Sequence, residues 1–211
     1  MKEKEKIEKI VNAIKDKNDG STLDFAVPGY AAKQVTSYQS MRSDLVLCKN
    51  CISELFDNKN SEIVKSSLFY TIIVLYGKCF TDATSSRSAK LELSDFDKKK
   101  ELIPYHTEIM NMRHNFVAHR GSSEHEIGVA YLSLGVSDLA RHVRVTQIKR
   151  KSFDSVKVDK YVELLDFLIS VVEEKYKKGG ERLWNHMLNE YTPNQMVMFK
   201  IAGPKENSTI K

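Results

Sequence analysis

Apolar positions recur every three or four residues along much of this chain, and that spacing predicts a protein built mainly from helices. The first stripe is Ile7, Ile10, Val11 and Ile14, set in an otherwise charged segment over residues 1–18. Asn18-Asp19-Gly20-Ser21 ends it, and a loop follows around Pro28-Gly29. A longer stripe of Val35, Tyr38, Met41, Leu45, Cys48, Ile52, Leu55 and Phe56 predicts a helix over residues 32–57. Asp57 to Asn60 turn the chain, and Ser61 is the expected N-cap of the next element. Residues 62–80 differ, because residues 68–76 are apolar almost all round and rich in β-branched and aromatic types. Propensity favours a strand there, while a fully buried central helix fits equally well. The helix-permissive residues just before the run favour the helix.

Polar, serine-rich residues 81–93 predict a loop. Ser94, followed by Asp95 and Asp97, starts a helix that runs to about His119, with a kink or restart near Ile103 forced by Pro104. Gly121 ends it. Residues 127–135 and 142–149 predict two strands of a hairpin. Tyr161, Leu164, Leu165, Leu168, Val171 and Val172 mark a helix over 155–178, which Gly179-Gly180 interrupts before a short helix at 181–190. From Pro193 onward no period stands out. The expectation is one domain over residues 1–211. It has a helical bundle at 32–120 and 155–190, a β-hairpin at 127–150 and a tail at 191–211.

Composition narrows this further. Nine glycines and four prolines in 211 residues are too few for the many tight turns of an all-β barrel. The apolar run 68–76 is about half a bilayer span, so no membrane segment is expected. The first residues alternate Lys and Glu, unlike a secretory signal. The three cysteines include Cys48 and Cys51, three apart with no second such pair, so buried thiols are favoured over zinc or redox chemistry. Together these predict a cytoplasmic protein. The net charge of +5 says little until it is located. Residues 141–160 hold Arg141, Arg144, Lys149, Arg150, Lys151, Lys157 and Lys160 against Asp154 and Asp159, an excess equal to that of the whole chain. Such a segment either attracts a phosphate backbone or is a solvated edge strand guarded by its cations.

Candidate chemistry concentrates at His106, His114, His119 and His125. Their spacings of 8, 5 and 6 do not share a helix face and no HExxH is present, so no metal site or cofactor is expected. Neither P-loop glycines nor a Ser/His/Asp hydrolase signature is found. The segment from Arg113 to His119, with polar His114 directly after the arginine, resembles the Arg-x(4–6)-His signature of the HEPN superfamily of nucleotide-binding domains. The likeness extends to Tyr70, to Tyr76-Gly77-Lys78-Cys79-Phe80-Thr81 and to His106-Thr107-Glu108-Ile109-Met110, and covers roughly residues 35–175. A bacterial subgroup of poorly known function is the nearest pattern, although it often has Arg-Asn where this chain has Arg113-His114.

The resemblance implies a HEPN-like up-and-down helical bundle that forms a homodimer. It also implies metal-independent endoribonuclease activity on RNA in the cleft between two signature helices. Arg113 would stabilise the phosphate, His119 would move the proton or position the 2′-OH, and His114 would orient them. That chemistry suits the residue types. A histidine titrates near neutrality, and an arginine fork meets charge developing on phosphorus. Lys78, Arg120, Arg144, Lys149 and Arg150 are the expected RNA-binding cations. In an ideal helix Arg113 and His119 lie about 120° apart, so they converge only if the helix distorts or a second copy completes the site. An antitoxin or defence partner belongs to the same reading. A non-catalytic module binding nucleotide, RNA or protein is the rival, and a purely structural helical dimer is the third.

Overall fold

The computed structural model describes residues 3–82, 88–117, 125–134, 136 and 141–203. The chain is mainly helical, with two small antiparallel strand pairs. It divides into two compact units, residues 37–176 and residues 1–36 with 177–211.

Within residues 37–176 the core forms where three helices turn their apolar stripes inward. α2 (Tyr30–Leu55) contributes Met41, Leu45, Cys48, Cys51, Ile52 and Leu55. α3 (Glu62–Phe80) begins as expected at Ser61, whose hydroxyl accepts a hydrogen bond from the Val64 amide. α3 resolves the ambiguity of residues 62–80 in favour of the helix. Phe69, Ile72, Ile73, Tyr76 and Cys79 are all buried, so packing overrides strand propensity. By length and composition α3 is, among the described residues, the helix able to cross a membrane, and here it is the core helix of its unit. α5 (Val158–Glu190) adds Tyr161, Leu164, Leu165, Leu168 and Val172. Phe153 closes the core, edge-on to Phe69 at 5.0 Å between ring centres.

The restart expected near Ile103 is present, but the residues before it, from Ser94, do not form regular helix. Leu93–Phe96 and Lys100–Leu102 are 3-10 turns. The regular helix α4 (Ile103–Met112) starts one residue before Pro104. Proline has no amide hydrogen to lose in a first turn, so it sets the start of the helix rather than kinking its middle. Ser94 is not the cap: Glu92 is, in a reciprocal pairing with Asp95. After α4, Arg113–Val117 form a π-helical turn. The expected end at Gly121 lies outside the described residues.

Strands β2 (Glu126–Leu134) and β3 (Arg141–Lys149) form the expected hairpin, with Glu126 opposite Lys149 and Leu134 opposite Arg141. A second correction concerns α5, which passes straight through Gly179-Gly180. Each glycine costs a helix about 1 kcal/mol, and the strong helix formers on either side outweigh that. Its first turn is the 3-10 turn Ser155–Lys157, where the Val156 amide donates to the Asp154 side chain at 3.0 Å.

In the other unit, α1 (Glu3–Lys17) ends at Asn18, whose side chain accepts from the Gly20 amide at 2.8 Å. Gly20 has a φ of 87°, which a side chain would strain. Two short strands escape any periodicity: β1 (Asp24–Phe25) pairs antiparallel with β4 (Lys200–Ala202). Between α5 and β4 lies α6 (Pro193–Val197), capped by Thr192 and Gln195. Of the α1 stripe, Val11 and Ile14 are half-buried while Ile7 and Ile10 stay exposed.

Candidate functional site

The site is built where α3 crosses α4. α3 presents Gly77 to Arg113, and the arginine side chain lies in the space that a Cβ at residue 77 would fill. A methyl group there would overlap Arg113 Cδ and Nε. One turn further on, Arg113 Nη2 donates to Thr81 Oγ1 at 3.0 Å. That hydroxyl in turn donates to the Gly77 carbonyl at 2.9 Å. Gly77 and Thr81 therefore clasp the arginine stem against α3. Arg113 Nε is buried and has no hydrogen-bond partner among the described residues.

Beneath this clasp, Tyr76 Oη and His106 Nδ1 lie 2.8 Å apart in the core. Rings of Tyr76, Phe80 and Phe96 surround the imidazole, with Phe80 nearest at 4.4 Å between centres. Burial in this aromatic box holds the His106 pKa down to about 4. His106 is thus a neutral structural histidine that fixes α4 to α3. Tyr76 thus meets His106, and Gly77 and Thr81 meet Arg113, where α3 and α4 come together.

Arg113 opens the π turn, and its amide is shared between the Ile109 and Met110 carbonyls. A π turn carries one extra residue per turn and is a frequent feature of functional sites. His114 is exposed beside Arg113. His119 and Arg120 lie outside the described residues.

The basic segment looks different in three dimensions. Lys149 pairs with Glu126 at 2.9 Å, and Arg150 and Lys157 share Glu108 at 3.1 and 3.0 Å. Lys160 pairs with Glu163 at 2.8 Å, and Lys78 of α3 pairs with Asp44 at 2.8 Å. Burial alone would raise the Glu108 carboxyl, but hydrogen bonds from Lys157 and Arg150 hold it below its ordinary value. Arg144 is exposed on β3, opposite Tyr131. The folded chain thus balances much of a charge excess that looked unopposed along the sequence. Glu108, His125, Ile127, Ile148, Lys149, Arg150 and Lys157 line an open cleft of about 550 Å³ at the hairpin base. Glu108 was not singled out in the sequence, because its two cations lie more than forty positions away.

Cys48, Cys51 and Cys79 are free, buried thiols. Burial pushes the Cys48 and Cys51 thiols up, and that of Cys79 to about 12, which makes them poor nucleophiles and poor metal ligands. Among the described residues no group of three His, Cys, Asp or Glu side chains is placed to hold a metal ion. Comparison with models of known protein families, with curated proteins and with solved structures finds no match.

Proposed function

We propose that this chain is a HEPN-type, metal-independent endoribonuclease that cleaves RNA in a cleft shared by two copies. The observation that carries the reading is the clasp of Arg113 by Gly77 and Thr81 at the mouth of a π turn. A phosphate-stabilising arginine must be rigid before the substrate arrives, since preorganised donors cost no reorganisation during reaction. The Nη hydrogens not given to Thr81 are then available to a pair of phosphate oxygens.

In this reading the ribose 2′-OH attacks the adjacent phosphorus, and His119 takes its proton. Arg113 meets the charge that builds on the phosphoryl oxygens, and His114 orients the pair. The bond to the 5′ oxygen of the next nucleotide breaks and that oxygen takes a proton from water, leaving a 2′,3′-cyclic phosphate and a 5′-OH. Arg144 is the strand cation best placed to draw RNA, because Lys149 and Arg150 are already held by carboxylates.

Arg113→Ala and His119→Ala are each expected to lower RNA cleavage by about 10²–10³-fold with the helical signal intact. Cleavage at the wild-type rate by both purified variants would remove the catalytic assignment. The same clasp also favours a second reading, in which Arg113 only locks α4 to α3 and the chain is a module that binds nucleotide, RNA or a partner such as an antitoxin. A gel shift of intact RNA without products would select it.

A further inference from the structure

The hairpin has too little to hold it as an isolated ribbon. Ile127, Val129, Tyr131 and Ile148 lie on one face by their register, and Leu132, Leu134, Val143 and Val145 on the other. All eight are exposed, Leu132 at 83% and Val143 at 76%. A two-stranded ribbon is marginal alone, and three or more strands are the usual minimum for stability. Among the described residues β2 and β3 pair only with each other.

The two edges differ. β3 carries Arg141, Arg144 and Lys149, and cations on an edge discourage pairing with another strand. Pairing β3 with its twin about its centre would also set Arg141 opposite Lys149 of the other copy. β2 carries one charged residue, Glu126, already paired with Lys149 of its own hairpin. Antiparallel pairing of β2 with a second β2 about Ala130 sets Val129 opposite Tyr131, a favourable β-branched and aromatic pair. It also sets Gly128 opposite Leu132 and Glu126 opposite Leu134, with no like charges facing. We propose that β2 is a dimerisation edge for a second copy of this chain, joined into a four-stranded sheet in the order β3-β2-β2-β3. The pairing rests on the hairpin alone and stands or falls separately from RNA cleavage.

Full-length Ala130→Cys tests it, because antiparallel partners at a two-fold lie within disulfide reach and the native thiols are buried. Mild oxidation is expected to give a covalent dimer that dithiothreitol reverses, while Thr146→Cys on exposed β3 gives none. Sedimentation of the wild type at about 10 µM should show a dimer, and Val129→Lys with Tyr131→Lys should weaken it by about 100-fold or more with the helical signal unchanged. A monomeric wild type would overturn the proposal. So would equal cross-linking at both cysteines, or a dimer that ignores the lysines and does not cross-link at Ala130→Cys.

Discussion

Gly77 carries a hydrogen where Arg113 needs room, and that single absence of a side chain shapes the site. Gly77→Ala must expel the arginine or strain α3, at an overpacking cost of about 1–3 kcal/mol. It is expected to cut cleavage about as deeply as Arg113→Ala. The Gly77→Ala/Arg113→Ala double variant should be no less active than either single one and should regain stability, since the methyl then occupies the vacated space. Additive losses in the double variant would show that the two residues act separately. His106 makes a second prediction at this scale. Its folded pKa is about 4 against an ordinary value of 6.5. Below pH 6.5 the unfolded chain takes up a proton that the folded core refuses, so this contribution is complete above 6.5 and is lost as pH falls towards 4. Between about pH 7.5 and 5 the loss is about 2 kcal/mol. Urea unfolding across that interval should show it, and His106→Gln should flatten it. The Glu108 contribution disappears lower, beneath its ordinary carboxyl value of 4.5, so the two windows separate.

At the scale of elements, the helices α2 and α5 were legible because each turns a continuous apolar stripe to one core, whereas α3, apolar almost all round, was separated from a strand by its packing in that core. What periodicity missed were elements too short to have a period, such as β1, β4 and α6. Punctuation by single residues was read correctly at Pro104, where α4 restarts at Ile103, and too literally at Gly179-Gly180, which leave α5 unbroken because neither glycine forces a non-helical backbone. A Cβ at Gly180 would meet nothing within 4 Å. Gly180→Ala should therefore raise the unfolding free energy by about 0.5–1 kcal/mol through reduced chain entropy. A urea midpoint lower than that of the wild type would show that the glycine has a role in the folded chain. The π turn at Arg113–Val117 had no signature in the sequence.

At the scale of the whole molecule, charge was the least legible property. A count along residues 141–160 sees seven cations and two carboxylates, but Glu108, Glu126 and Glu163 arrive from elsewhere and pair with four of the seven. Linear proximity measures local charge poorly when helices and strands bring distant carboxylates within 3–4 Å. Of the residues that carried the resemblance in the sequence, Tyr76, Gly77, Thr81, His106 and Arg113 come together in the clasp and the aromatic box, while His119 lies outside the described residues. The central claim is that this clasped arginine serves RNA cleavage without a metal. Its most direct test is incubation of the purified full chain with mixed RNA in EDTA, followed by analysis of the product ends. The account predicts 2′,3′-cyclic phosphate and 5′-OH ends, formed at the same rate with and without the chelator and lost in Arg113→Ala. Intact RNA, or cleavage that EDTA abolishes and a divalent ion restores, would contradict it.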